Sequence, residues 1–541
     1  MAVNEKEQPL VVIVGAGLGG ISTAVELKKQ LGFENFIYVL AHTNRVPLLT
    51  RNPLSRTIPI LYDHTVIFLK SQSVLDRILQ GCGSDIPGHW YSLSSELNPN
   101  WNNLYATQPE IRDYWQNIYD KYNLKSHTQF NSMVTSAIWS NETQKYTVTV
   151  LDTISKEERT VQANVMFYAI GGFQKPVFPT DVPGGESFNG PIWHSARYRH
   201  DIELKGKRVG VIGNGCSGAQ LVPALAEDPS IQVTNFCRTP QWYVPRPNFA
   251  YPPWIKWMFA RVPFLMKLYR SFWMARMLSK YIADKAPENE VAKLTPNYPP
   301  GCKRLILNPG YLECLKCPNV NITWDRIERI VENGIALNES TGEIVPLDVI
   351  IFATGFSVDP VDLHVRGSLG TTIRDLYKSQ GGPIAYVGTA VPGFPNLFVL
   401  LGPNVISGSS SVIFVQEAQI GLALKLTKPV LAGHIKSFEV RQDVSEQYNL
   451  WLQNRLKDSV WNSCDSYYHW DNRRDSRNIA SFPGPAALLY WLMRRAERWE
   501  DWKVVEAEPG WINKQKWNMR RNLLLGLSSI PLAVVLFRRY F

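Results

Sequence analysis

The chain has 541 residues, of which 45% are hydrophobic and 19% charged, a composition that excludes a disordered protein and predicts two or three domains. Seven cysteines, with no secretory signal sequence after the first residues, favour a reducing compartment and argue against secretion. The net charge of +10 comes from two aromatic-rich segments, residues 251–280 with six basic and no acidic residues, and residues 494–541 with ten basic and five acidic ones.

The first predicted element is a buried parallel strand over residues 10–14, followed by a GxGxxG turn at Gly15, Gly17 and Gly20 and then a helix. In this pattern the first glycine makes the tight turn, the second admits a pyrophosphate, and the third lets the helix pack on the strand. The following helix directs its N-terminus at the phosphate charge. The unit therefore predicts a dinucleotide site.

A second unit has the same form. A strand over residues 209–212 precedes the residues Gly213, Asn214, Gly215, Cys216, Ser217 and Gly218. The next strand ends in Arg238 and carries no acid, which favours the 2′-phosphate of NADPH, so the first unit is assigned to FAD. The strand after the first motif leads into Leu40, Ala41 and His42 instead of the acid expected for a ribose.

Two such units predict an α/β fold with two Rossmann-like, three-layer domains. Residues 146–170 and 345–356 each end as a strand that stops at a cofactor, the second at Gly355, which is expected to lie at the FAD. We therefore expect residues 1–170 to begin the FAD domain and 171–345 to form the NADPH domain, with a helical insert at about 251–300. Residues 346–480 would complete the FAD domain, and 481–541 would be a helical tail.

The segment between the two motifs, "FNGPIWHSARY", resembles the FxGxxxHxxxW fingerprint of Baeyer–Villiger flavin monooxygenases and their flavin-monooxygenase relatives. Phe188, Gly190 and His194 match, and Tyr198 replaces the tryptophan. In that family the fingerprint lies between the two dinucleotide domains and serves domain movement more than chemistry.

Further matches extend over most of the chain and imply roles for individual residues. The resemblance implies that Asp85, Tyr91 and Val134 contact FAD, that Arg238, Thr239 and Lys303 bind the NADP phosphate, and that Arg304 is the active-site arginine. One stretch departs from the family pattern. Residues 40–81 lack the acid and the Gly-Gly-Thr-Trp turn, and we hypothesise that they are foreign to the fold.

The resemblance implies that NADPH reduces FAD and that a flavin peroxide then inserts one oxygen atom from O2 into a hydrophobic ketone, giving an ester or lactone. Arginine suits a negative peroxide and a tetrahedral oxyanion because it stays protonated at any working pH. Arg304 would supply this charge and Asp85 would orient it. No metal is predicted.

Three alternatives remain open. The first is a flavin monooxygenase that hydroxylates, epoxidises or oxidises nitrogen or sulfur. The second is a dithiol oxidoreductase that uses Cys314 and Cys317, which form a CxxC pair. The third is a flavin-free scaffold protein on a membrane.

The C-terminal segment contains sixteen uncharged residues, 522–537, between two arginine pairs. This run is shorter than the roughly 20 residues of a bilayer span. Basic residues flanking apolar bulk favour contact with an internal membrane from the cytoplasmic side, as a tail anchor or a surface helix, and not with nucleic acid.

Overall fold

The computed structural model describes residues 8–39, 83–172, 175–244, 251–261, 285–337, 342–357, 364–407 and 411–517. The atypical stretch 40–81 and the apolar run 522–537 both lie outside these residues. None of the helices in the described ranges combines the length and the hydrophobicity that a membrane span requires.

Strands outnumber helices in the described part of the chain, with runs of strands over residues 128–212 and 320–366. The strands are β1 (Val11–Val14), β2 (Phe36–Val39), β3 (Thr128–Gln129), β4 (Ser132–Ser140), β5 (Lys145–Asp152), β6 (Glu158–Ala163), β7 (Val165–Tyr168), β8 (Lys175–Pro176), β9 (Ile192–His194), β10 (Arg208–Ile212), β11 (Gln232–Phe236), β12 (Tyr243–Val244), β13 (Ile306–Leu307), β14 (Val320–Thr323), β15 (Ile327–Val331), β16 (Gly334–Leu337), β17 (Ile344–Pro346), β18 (Val349–Phe352), β19 (Phe356–Ser357), β20 (His364–Arg366), β21 (Leu397–Val399), β22 (Ile435–Val440) and β23 (Trp502–Glu506). The helices are α1 (Leu18–Leu31), α2 (Gln108–Lys121), α3 (Cys216–Ala226), α4 (Pro253–Arg261), α5 (Val291–Leu294), α6 (Tyr311–Cys314), α7 (Ile373–Ser379), α8 (Val412–Leu431), α9 (Gln442–Leu456) and α10 (Ala486–Arg495).

The first dinucleotide domain is built on a parallel sheet with the strand order β21-β7-β1-β2-β3. Successive residues of β1 point to opposite faces, as the period of a strand requires. Val11 and Ile13 enter a core shared with α1, α2 and α8, whereas Val12 and Val14 enter a core under the antiparallel strands β4, β5 and β6. The predicted three-layer arrangement is therefore confirmed.

The second domain contains another parallel sheet, with the order β14-β11-β10-β18-β9. Val209 and Val211 of β10 pack into one core, and Ile212 packs into the core on the other face. The sequence prediction of two Rossmann-like domains is thus confirmed.

Two predicted boundaries need correction. Strand β18 was expected to open the returning part of the FAD domain, but it pairs with β10 in the second sheet. The chain returns to the first domain later, where β20 pairs with β4. A short apolar strand that stops at Ala353 and Gly355 fits either sheet, so its pattern could not decide between them.

The expected helical tail is also different over residues 486–506. Helix α10 is followed by β23, which pairs antiparallel with β22. Trp499 and Trp502 are buried in the core of the first domain. This part of the tail therefore completes the first domain.

The carboxylate of Glu96 links α1 to the end of α2 in the first domain. Glu96 accepts hydrogen bonds from Lys29 (2.9 Å), Lys121 (2.6 Å) and the Tyr122 hydroxyl, and its side chain is only 13% exposed. Burial acts to raise the pKa of Glu96, but the three donors outweigh it and lower the pKa to about 2.

Candidate active site

The second glycine turn joins β10 to α3 and has the shape of a pyrophosphate cradle. Gly213 has a φ of +109°, and a Cβ there would lie 2.7 Å from the carbonyl oxygen of Ala353. A Cβ on Gly218 would lie 2.1 Å from the carbonyl oxygen of Gly213, whereas one on Gly215 would meet nothing within 4 Å. Gly213 and Gly218 are therefore required by the fold, and Gly215 leaves open space at the helix N-terminus for a ligand.

The first glycine turn has the same geometry. Gly15 has a φ of +101°, and a Cβ on Gly20 would lie 2.0 Å from the carbonyl oxygen of Gly15. Gly17 directly precedes α1. The Gln416 side chain of α8 lies over this helix, 3.0 Å from where a Cβ of Gly19 would stand. Both turns therefore fit a dinucleotide.

Two cations lie beside the second turn. Arg238 follows β11, where a ribose partner is expected, and its side chain is 88% exposed with Asp181 3.9 Å away. Burial lowers the pKa of Lys303, and the charge of Arg238 lowers it further. Two neighbouring cations that repel each other are suited to bind an anion. The carbonyl oxygen of Thr239 accepts a 3.0 Å hydrogen bond from the Asn214 amide, which ties this segment to the glycine turn.

Arg304 and Asp85 form an ion pair although they lie in different domains. The Asp85 carboxylate raises the pKa of Arg304 well above its ordinary value, so the guanidinium stays charged. Electrostatic interactions also join Arg304 to Cys216, the first residue of α3, and to Tyr467. The Arg304 side chain is 41% exposed and Asp85 is 35% exposed, so the pair remains accessible to a small molecule.

The segment that carries Asp85 contacts one helix of each domain. At one end, the Gln220 amide of α3 donates a 3.3 Å hydrogen bond to the carbonyl oxygen of Gly83. At the other end, the Ser411 hydroxyl at the start of α8 donates a 2.6 Å hydrogen bond to the carbonyl oxygen of Trp90. Tyr91 closes a short 3-10 helix in this segment. Residues 83–94 therefore bring the predicted Asp85 and Tyr91 to the place where both domains meet.

The fingerprint residues have packing roles. Phe188 is buried beside the second sheet, and a Cβ on Gly190 would lie 2.4 Å from the carbonyl oxygen of Asp348. His194 is buried at the end of β9, where its Nδ1 accepts a 3.1 Å hydrogen bond from the backbone N–H of Ala196. Tyr198 is 2% exposed and meets Trp193 edge to face. These contacts lie within the second domain and give the fingerprint residues a packing role there.

Two further residues, Val134 and Gly355, were assigned to FAD. The Val134 side chain is buried in the second core of the first domain, and β4 has an irregular register between Val134 and Ser136. Gly355 lies just after β18, where its carbonyl oxygen accepts a hydrogen bond from the backbone N–H of Val177. Their assignment to FAD stays a prediction.

The state of the cysteines argues against a dithiol oxidoreductase. Cys314 and Cys317 are free, and burial raises the pKa of the Cys314 thiol to about 12, which disfavours a reactive thiolate. Cys302 and Cys464 instead form a disulfide. Sequence reasoning missed this pair because the two residues are 162 positions apart and share no motif.

Comparisons with known proteins show the family to which the chain belongs. The sequence model of the flavin-binding monooxygenase-like family matches residues 93–365. A Baeyer–Villiger monooxygenase of Pseudomonas aeruginosa is 34% identical over 444 residues, which cover 77% of this chain and 81% of that protein. A Baeyer–Villiger monooxygenase of Streptomyces coelicolor is 31% identical over 539 residues, which cover 94% and 95%.

Solved structures share the fold. An oxidized steroid monooxygenase bound to NADP matches with a TM-score of 0.75 and 23% identity, over 92% of this chain and 99% of that one. Cyclohexanone monooxygenase from Rhodococcus sp. Phi1, bound to NADP+, matches with a TM-score of 0.74 and 22% identity, over 92% and 100%. The chain belongs to the flavin-binding monooxygenase-like family and is a flavin monooxygenase of the Baeyer–Villiger type.

Proposed function

We propose that the protein uses FAD and NADPH to insert one oxygen atom from O2 into a hydrophobic ketone. The overall reaction consumes the ketone, O2, NADPH and a proton, and it yields an ester or lactone, water and NADP+. The observation that carries the proposal is the Arg304–Asp85 ion pair, in which Arg304 also interacts with Cys216 beside the second glycine turn.

The residues of this chain bind and orient the reactants. The two glycine turns would hold the pyrophosphates, and Arg238 with Lys303 would bind the 2′-phosphate that distinguishes NADPH from NADH. Bound flavin would supply the two-electron transfer and the activation of O2. Arg304 would present a permanent positive charge to the oxyanion that develops on the substrate, and Asp85 would fix its orientation.

A hydrophobic ketone of secondary metabolism, such as a terpenoid or polyketide intermediate, is the substrate class that we propose. The support is the aromatic character of the insert, where Trp254 and Trp257 of α4 are 64% and 63% exposed. Because the two tryptophans are three residues apart on one helix, they form an exposed apolar patch of the kind that contacts a ligand or a membrane.

Purified protein offers a direct test. We expect visible flavin absorption, oxidation of NADPH in air, and products of a ketone panel that contain one additional oxygen atom by mass spectrometry. Sulfide substrates offered in parallel separate ketone oxidation from the alternative oxygenations. A colourless protein that leaves NADPH unconsumed would contradict the proposal and favour a scaffold.

We also propose peripheral contact with the cytoplasmic face of an internal membrane. Lys256 and Arg261 accompany the exposed tryptophans of α4, a combination that suits an anionic interface. A truncation that tests the contribution of the tail should begin after residue 517, because Trp511 stacks on His434 and belongs to the first domain. Equal distribution of the truncated and full-length proteins after cell fractionation would exclude the tail as an anchor.

A further inference from the structure

The disulfide between Cys302 and Cys464 is a feature that the reaction itself does not require. The two Cα atoms are 5.9 Å apart. Cys302 is completely buried, whereas Cys464 is partly exposed. The other cysteines in the described ranges, Cys216, Cys237, Cys314 and Cys317, are free.

The bond joins the two domains. Cys302 lies in a segment that is fixed to the second domain, because Ile306 pairs with Tyr243 in β12 and the Trp242 indole donates a 2.8 Å hydrogen bond to the carbonyl oxygen of Tyr298. Cys464 lies in a block that is fixed to the first domain.

Two hydrogen bonds hold that block in place. The Asn404 amide donates to the carbonyl oxygen of Asn478 at 2.9 Å, and the backbone N–H of Phe482 donates to the carbonyl oxygen of Ile406 at 2.8 Å. The disulfide is therefore a covalent connection between two separately anchored bodies.

The connection lies beside the active-site arginine. Arg304 follows Cys302 by two residues, and Tyr467, which follows Cys464 by three, interacts electrostatically with Arg304. Gly301 faces Val460 across the same boundary, with 3.5 Å between its would-be Cβ and a methyl carbon. Breaking the disulfide would therefore affect two segments next to Arg304, namely the one that contains Cys302 and the one that contains Cys464 and Tyr467.

We propose that Cys302 and Cys464 form a reversible redox brace that positions Arg304 against Asp85, an inference that rests on the proposed function. Disulfides in reducing compartments are usually transient and redox-sensing, and the free state of the remaining described cysteines fits such a compartment. The brace makes the oxygenation step responsive to the surrounding redox state.

Opening and closing have simple chemistry. A thiolate of glutathione attacks the accessible Cys464 sulfur, and a second glutathione completes the exchange to two protein thiols and glutathione disulfide, a transfer of two electrons and two protons. Hydrogen peroxide closes the brace by oxidising the two thiols to a disulfide, with release of two waters. In the open state, the segment around Arg304 loses its covalent tie to the first domain.

The test compares the wild-type holoenzyme with Cys464→Ser, using Cys317→Ser as the matched control. Peptide mapping of unreduced, alkylated protein should recover Cys302 and Cys464 as one linked peptide pair. In wild type, glutathione should lower product formed per NADPH consumed on the order of tenfold, and peroxide should restore it, because small displacements of a positioning group are costly. The rate of flavin reduction should change little.

The variants distinguish a disulfide that controls coupling from one that only stabilises the fold. Cys464→Ser should give the low coupling of the reduced enzyme and no response to glutathione or peroxide, whereas Cys317→Ser should respond like wild type. Cys302→Ser serves as a second variant with the same expectation. Full coupling in Cys464→Ser, or a wild type that does not respond to reduction although mapping shows both thiols free, would overturn the proposal.

Hydrogen exchange keeps the inference distinct from the proposed function. Residues 300–307 should exchange faster after reduction in wild type, and at the fast rate in either state in Cys464→Ser. Hydrogen exchange does not require turnover. A protein without oxygenase activity would contradict the proposed function, and the exchange rates would still test the redox brace. Equal exchange in the oxidised and reduced wild type would overturn the brace.

Discussion

Replacement of Arg304 by alanine is the sharpest test of the site. The substitution removes the guanidinium that contacts Asp85 and interacts with Cys216, and it alters no glycine of either turn. We expect a large loss of oxygenation, nearly normal reduction of the flavin by NADPH, and a small loss of stability. A loss of oxygenation much larger than the loss of stability would show that the charge of Arg304 acts in the reaction itself.

The magnitudes follow from the exposure of the pair. Two charges about 4 Å apart attract by about 4 kcal/mol at an effective dielectric constant of 20. With 41% and 35% of the side chains exposed, water screens this attraction, and the expected contribution to the free energy of unfolding is at most about 1 kcal/mol. A fixed donor that faces a developing oxyanion, in contrast, contributes about 100- to 1000-fold in rate.

Arg208→Ala is a matched control. Arg208 pairs with Asp348 at 2.7 Å within the second domain, and the two side chains are 46% and 35% exposed, close to the values of the Arg304 pair. This control should lose a similar small amount of stability and retain oxygenation. Stopped-flow reduction of the flavin, product analysis by mass spectrometry and chemical denaturation measure the three quantities.

Product formation by Arg304→Ala within about threefold of wild type would refute the role of this arginine, since the oxyanion argument requires at least a hundredfold loss. A loss of stability much greater than that of Arg208→Ala would show that the activity loss comes from unfolding. Equal loss of flavin reduction and oxygenation would move Arg304 from the oxygenation step to NADPH binding.

The remaining predictions concern the second glycine turn, the binding of the NADPH 2′-phosphate, and the buried carboxylate of Glu96. Gly215→Ala should raise the KM for NADPH without lowering Tm, whereas Gly218→Ala should lower Tm by about 5 °C or more, because its Cβ would meet a carbonyl oxygen at 2.1 Å. Arg238→Ala should raise the KM for NADPH about tenfold or more and leave that for NADH nearly unchanged, as steady-state kinetics with both cofactors would reveal. Glu96→Gln should cost about 2–3 kcal/mol of unfolding free energy at pH 7. Because the folded-state pKa is about 2 and the ordinary value 4.5, the difference in denaturation between variant and wild type should shrink as pH falls through this range.

Local patterns made the dinucleotide domains predictable. Gly15 and Gly213 follow continuous apolar strands, and the spacing to Gly20 and Gly218 is a steric requirement that the sequence shows directly. The position of β18 was not predictable, because a short apolar strand carries no information about which of two parallel sheets it joins. Strand β23 was not predicted either, because a segment rich in tryptophan and arginine was expected to form part of a helical tail.

The residues of the site and the pairing of Arg304 with Asp85 were expected from the family resemblance, whereas the other long-range contacts between the domains were not. Asp85 and Arg304 are 219 residues apart, Gly83 and Gln220 are 137 apart, and the two cysteines of the disulfide are 162 apart. No periodicity in a sequence reports such contacts, and it was the family resemblance that supplied Asp85 and Arg304 together with the expectation that the carboxylate orients the guanidinium. Because all three contacts lie where the domains meet, the orientation of one domain against the other sets the distance between Arg304 and Asp85. Control of that orientation is therefore control of the proposed oxygenation step, which is why a covalent bond at this boundary has a consequence for chemistry that a disulfide within either domain would lack.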